Sequence, residues 1–133
     1  MTNLIARTTL LAACATAALV TVAAHSVERP ETVMLTLQPR EGAESALAKA
    51  LADHWATATK LNLVKPEPHV TLRASDEAGH PYFVEIFTWR DAEIPDDAPA
   101  AITVIWDRLN ALTEPRGGRP GVDIKPVVLV APQ

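Results

Sequence analysis

The chain has 133 residues, a length that suggests one domain, and a formal charge of −4 from 12 Lys+Arg against 16 Asp+Glu. No basic cluster stands out, which argues against nucleic acid as a partner. Cys14 is the only cysteine, so there is no disulfide framework and no cysteine metal site.

The N-terminus reads as an export signal. "MTNLIAR" carries one positive charge at Arg7, and the run that follows, "TTLLAACATAALVTVAA", has none. Val22-Ala23-Ala24 and Ala24-His25-Ser26 both fit the small-x-small rule for signal cleavage. An uncleaved anchor is the alternative, although residues 8–24 are short for a span. "LAAC" at 11–14 also resembles a lipobox, but the apolar run continues well past Cys14. The expected organisation is a signal peptide over 1–26, a polar lead-in over 27–31, and one domain over 32–133. The protein is then periplasmic or secreted, and bound to membrane only if the signal stays or Cys14 is lipidated. Cleavage after Ser26 leaves 107 residues without cysteine, at a charge of −5.

"TVMLTLQP" (32–39) alternates, with Val33, Leu35 and Leu37 on one side, and predicts the first strand. Pro39 and Gly42 end it. Leu47, Leu51, Trp55, Ala58 and Leu61 then recur at three- and four-residue spacing and predict an amphipathic helix over 42–60. The prolines of "NLVKPEP" break it. "HVTLRA" (69–74) alternates again, "SDEAGHP" is turn chemistry, and "YFVEIFTW" (82–89) is dense in aromatic and β-branched residues. These two strands predict an antiparallel hairpin. Asp97 and Pro99 suit the start of a second helix whose stripe is Ile102, Ile105, Leu109 and Leu112. "EPRGGRPG" ends that helix, and "VDIKPVVLV" (122–130) predicts the last strand. Pro126 marks it as an edge or a bulge.

The order is β-α-β-β-α-β. Right-handed crossovers fold it into an α+β, ferredoxin-like, four-stranded antiparallel sheet with both helices on one face. The aliphatic set Val33, Leu35, Leu37, Val70, Leu72, Val84 and Ile86 is expected beneath the helices. The opposite face is then expected to carry Met34, Thr36, Gln38, His69, Thr71 and Arg73. Phe83, Glu85, Phe87 and Trp89 join them there. So many rings on an open sheet imply a cover, and the simplest is a second copy packed about a twofold axis.

The element order, the "VEIFTW" strand ending in tryptophan, and the acidic loop and helix after it resemble the antibiotic biosynthesis monooxygenase-like branch of the dimeric α/β-barrel superfamily. The resemblance runs over residues 32–130. "YFVEIFTWRD" and "IWDRLNALTEPRGGRPG" also resemble an exported bacterial subgroup of unknown role. The resemblance implies a small homodimer, a small aromatic or phenolic ligand, and no cofactor. Some members oxidise phenolic or quinone-type substrates without metal or flavin, because the deprotonated substrate itself reduces oxygen. Haem-degrading relatives use a histidine on the second helix. Residues 98–114 contain none, which argues against haem.

Two catalytic candidates follow. Glu85, between Phe83 and Phe87, suits a general base if desolvation raises its pKa. The alternative is an ion pair with Arg73. His69 suits proton transfer, or is a solvated strand-end histidine. Trp89, Phe83, Phe87, Arg73, Thr36 and Gln38 are the candidate substrate-binding residues. Trp89 serves either as a clamp on a flat ligand or as an aromatic plug in the dimer. His54 is expected at the edge of the first helix's stripe, and Trp106 in the core or at a helix–loop junction. No histidine pair has metal-ligand spacing, and no glycine pattern suits a dinucleotide. Three readings compete: a cofactor-independent monooxygenase acting on a small aromatic or phenolic substrate in a cavity enclosed by the dimer, an exported binding or stress-response protein, and a structural interaction module.

Overall fold

A computed structural model describes residues 27–132; the export signal, its cleavage site and Cys14 lie outside the described residues. Strand β1 spans Glu31–Leu37, helix α1 Glu44–Lys60, β2 Val64–Ser75 and β3 Pro81–Trp89. A single 3₁₀ turn over Ile94–Asp97 leads into α2 (Ala100–Ala111), and β4 is Val122–Pro126. The sheet order is β2-β3-β1-β4, with every neighbouring pair antiparallel. This is the ferredoxin-like arrangement.

The prolines explain which strands stand outside. Pro66 and Pro68 fall in β2 and Pro126 ends β4, the two edge strands, where a missing N–H breaks no ladder on the open side. The register between β2 and β3 slips between Val64 and His69, around those prolines. Strand β2 therefore begins earlier than alternation predicts, inside "LVKPEP". Strand β4 stops at Pro126 rather than running to residue 130. Pro99 is the N-cap of α2, one residue before its first turn, and Asp97 belongs to the preceding 3₁₀ turn.

The helices cover the face that carries Val33, Leu35 and Leu37, as expected. On β2 and β3 the expected faces are reversed. Leu35 pairs with Glu85 and Val33 with Phe87, so Phe83, Glu85, Phe87 and Trp89 lie beneath the helices. His69, Thr71 and Arg73 pair with Phe87, Glu85 and Phe83 and share that side. Val84 and Ile86 pair with Thr36 and Met34 on the outer face, beside Val70 and Leu72. The reason is volume. The buried face of α1 includes Ala50 and Ala58, and small helix residues leave space that phenylalanine and tryptophan fill better than valine.

The stripe on α1 is also rotated from expectation. Its buried residues are Leu47, Ala50, Leu51, His54 and Ala58, with Trp55 half-buried at the border and Leu61 exposed. Helix α2 buries Ile102, Ile105 and Leu109, as its stripe predicts. Gly117 and Gly118 both have positive φ, and Arg116 and Arg119 exchange backbone hydrogen bonds across them at 3.0 and 3.1 Å. Two consecutive left-handed residues are what such a tight turn requires.

Candidate active site

Strand alternation places Glu85 two residues from Phe83 and Phe87, and the helices then seal it off. Its side chain has 0% exposure. One carboxyl oxygen, Oε1, lies 3.1 Å from His69 Nε2 on the neighbouring strand. The other, Oε2, is buried with no hydrogen-bond partner. His69 keeps 26% of its side chain exposed. Trp55 of α1 lies flat on the His69 ring, with centroids 3.7 Å apart and planes 4° apart. Desolvation pushes the Glu85 carboxyl up to about 7. Burial also lowers His69. Both shifts favour a neutral carboxyl bonded to a neutral imidazole over an ion pair. Arg73 is not the partner of Glu85; it pairs instead with Glu44 on α1.

Beside this pair lies a cavity of about 390 Å³ between α2, the sheet and the 3₁₀ turn. Its walls include Val33, Leu35, His54, Phe87, Trp89 and Trp106. Val122 and Ile124 line it on β4, and among the described residues Glu31 and Asp96 are the only charged ones along it. Phe87 and Trp89 meet edge to face with centroids 4.8 Å apart, and Trp89 meets Trp106 the same way at 6.3 Å. Trp106 Nε1 donates to His54 Nε2 at 3.1 Å and so ties α2 to α1. Burial, with a smaller effect from nearby His69, holds the His54 imidazole down at about 4.

The sequence candidates thus divide. Trp89 and Phe87 line the cavity, which lies beneath the helices of a single chain and not, as expected, on a sheet face closed by a second copy. Glu85 and His69 form a bonded pair behind the cavity, and Leu35, directly opposite Glu85 in the sheet, is part of the wall. Phe83 is buried in the core but does not line the cavity. Arg73 is at the surface with Glu44. Thr36 and Gln38 line a separate polar hollow with Tyr82, Arg116 and Arg119. There the Gln38 amide donates to the carbonyls of Arg116, Arg119 and Pro120 at 3.1–3.3 Å, which fixes the glycine turn.

Two cavity residues, His54 and Trp106, were not among the sequence candidates. The available signal was spacing. His54 lies seven residues after Leu47 and four before Ala58, in phase with the buried stripe, but the adjacent Trp55 draws the eye to itself.

Neither protein-family models nor curated protein sequences match the chain. Solved structures do. A variant of SnoaB, a cofactor-independent oxygenase from Streptomyces nogalater, superposes with a TM-score of 0.57 at 16% identity, over 77% of this chain and 95% of that one. An antibiotic biosynthesis monooxygenase superposes with a TM-score of 0.56 at 14% identity, over 77% and 100%. The chain has the antibiotic biosynthesis monooxygenase fold. A dimeric ferredoxin-like protein of unknown function from a Jannaschia species shares it, with a TM-score of 0.53 at 17% identity, over 76% and 100%. At these identities the likeness establishes the fold, and any activity within the monooxygenase fold must be argued from this chain's own residues.

The two perturbed groups have opposite effects on stability. A Glu85 pKa of about 7, against an ordinary 4.5, means that the folded state binds more protons than the unfolded chain between those values. Stability therefore falls as pH rises through that window. A His54 pKa of about 4, against 6.5, means that the folded state binds fewer protons there, so stability falls as pH drops. Each departure is worth on the order of 3 kcal/mol, and the two oppose each other across most of one range. Urea unfolding of the wild type is expected to vary little between about pH 4.5 and 6.5. Glu85→Gln should leave a stability that climbs with pH across that range, and His54→Phe one that declines. Variants that both track the wild type would show that neither group resists ionisation.

Proposed function

We propose that the protein is a homodimeric, cofactor-independent monooxygenase-like protein that takes a small aromatic or phenolic molecule into the cavity beneath its helices. The observation that carries this reading is Glu85. It is a fully buried carboxyl with one unpartnered oxygen, poised near neutral pH, immediately behind an aromatic-lined cavity. A structural carboxylate is normally paired or solvated, and its pKa falls rather than rises. A general base working near pH 7 needs the value found here.

In this scheme Glu85 takes a proton from an activated C–H or O–H of the substrate. The resulting anion passes one electron to dioxygen. The radical pair combines to a peroxide anion, which takes a proton back through Glu85 and His69; the hydroperoxide then loses water and leaves a carbonyl on the substrate. One oxygen atom enters the product and the other leaves as water. His69, bonded to Glu85 and part-exposed, offers a route by which the proton is exchanged with solvent and returned to the peroxide. The rings of Phe87, Trp89 and Trp106 hold a flat substrate by stacking and edge contacts. The export signal expected over residues 1–26 would put this chemistry in the periplasm or outside the cell.

The non-catalytic alternative, an exported small-molecule-binding protein, is favoured by one observation: Glu85 is separated from the cavity by its wall residues Leu35 and Phe87. The two readings part on turnover. Glu85→Gln should lower oxygen uptake with an anthrone by roughly 10²–10⁴-fold while leaving the protein folded. Wild-type protein that takes up no oxygen with anthrones or phenols would leave binding as the function.

The dimer follows from the reversed faces. Met34, Val70, Leu72, Val84 and Ile86 form the outer side of the sheet, and Leu72 is 52% exposed. Apolar side chains concentrated on one open face mark an interface, and a twofold axis would bury this one against its copy. Val84→Asp should turn a dimer into a folded monomer in sedimentation. Phe87→Asp should instead unfold the chain, because it would put a charge into the core beneath the helices. A wild-type monomer at high concentration would remove the dimer.

A further inference from the structure

His54 has a fixed tautomer and one hydrogen-bonding group left over. The indole N–H of Trp106 can only donate, so His54 Nε2, 3.1 Å away, must accept. An imidazole that accepts at Nε2 and stays neutral carries its proton on Nδ1. That Nδ1 is buried and has no partner. The residue is 1% exposed, yet its ring forms part of the cavity wall. A buried N–H without an acceptor is rare in a folded protein, and it invites an explanation by a missing partner.

The rest of the wall narrows what that partner can be. Val33, Leu35, Phe87, Trp89 and Leu109 offer it no side-chain hydrogen-bond acceptor, and the wall residues that carry one, Glu31, Asp96 and Asn110, make no hydrogen bond to Nδ1. No cation lines the cavity, and its two charged residues, Glu31 and Asp96, are both acidic. An anionic ligand would be repelled by these carboxylates, and a cation, although rings and carboxylates attract it, brings no acceptor for the Nδ1–H. The complement of this wall is an uncharged, flat molecule with one neutral oxygen acceptor.

We propose that His54 is the positioning residue of the cavity, its Nδ1–H donating to the carbonyl or hydroxyl oxygen of a neutral aromatic ligand while Trp106 holds the tautomer. The ligand reaches Nδ1 by turning aside the rings of Phe87 or Trp89, whose centroids lie 5.6 and 6.0 Å from the imidazole. The inference rests on the cavity being a ligand site, as in the function proposed above, and does not need the oxygen chemistry. Trp106 then has two tasks: its ring lines the cavity, and its N–H decides which imidazole nitrogen is available.

The test pairs two rigid probes of the same outline, fluorenone and fluorene, which differ by a carbonyl in place of a methylene. Titration by tryptophan fluorescence should show wild-type protein binding fluorenone roughly tenfold more tightly, the scale of one buried hydrogen bond to an otherwise unpaired donor. His54→Phe should abolish that preference and keep fluorene binding. Equal affinity in the wild type, or a preference that survives His54→Phe, would overturn the proposal, as would failure of both probes to bind. Should His54→Phe not fold, imidazole nitrogen NMR on the wild type decides. The expected result is a proton on Nδ1 whose resonance moves with fluorenone and not with fluorene; a proton on Nε2, or no response to fluorenone, contradicts it. A protein that prefers fluorenone but consumes no oxygen with an anthrone would keep this inference and lose only the oxygenase reading.

Discussion

Glu85 is a carboxyl with no exposed surface, set in the central part of a sheet and sealed by two helices. Ionising it there would mean burying a charge whose second oxygen has no donor. The fold answers this by raising its pKa to about 7, so that it is protonated below neutrality and ionises only around it, and by giving it one hydrogen bond, to His69. Several other features depend on that choice. His69 must sit on the helix side of β2, which fixes the register beyond the slip at the prolines. Trp55 must lie over the imidazole, which fixes how α1 is rotated about its axis. A buried group held in its less favoured protonation state is destabilising at higher pH, and a fold tends to retain such a group where it serves a function.

The same rotation of α1 turns His54 inward, where it meets Trp106 from α2. Two histidines one turn of chemistry apart are thereby kept neutral in different ways. His69 stays part-exposed and bonded to a carboxyl. His54 is closed off and bonded to an indole. The cavity lies along the second, and the carboxyl lies behind the wall along the first. In the function proposed above, proton acceptance would fall to Glu85 and ligand orientation to His54, two separate groups.

The order of the elements was legible because proline, glycine and period change punctuate this chain clearly; the lengths of β2 and β4 were not, because prolines fall inside one strand and end the other. The faces were legible on β1 and on α2, where one side is plainly apolar. They were not legible on β3. There Phe83, Phe87 and Trp89 alternate with Val84 and Ile86, so both sides are apolar and period two cannot say which is covered. Glu85 pointed the wrong way in this reasoning, since a carboxylate ordinarily marks the wetter face. Its chemistry was nonetheless readable: a carboxyl flanked by phenylalanines is desolvated on whichever face it lies. The Arg73 pairing failed because the nearer carboxylate, Glu44, comes from a helix, and strand alternation carries no information about what a helix brings down onto the sheet. His54 was hidden by its neighbour. Choosing between His54 and Trp55 for the buried stripe requires knowing how α1 is rotated, and the larger apolar ring is the natural choice until the stack with His69 is seen.

The account turns on the protonation state of one carboxyl. The most direct measurement is a site-resolved carbon NMR titration of the Glu85 side-chain carboxyl in the folded protein. The account predicts a midpoint near 7, with the His69 ring resonances responding in the same step. A midpoint in the ordinary carboxylate range, near 4.5, would contradict it and would leave Glu85 as a structural residue beside a cavity that serves only to bind.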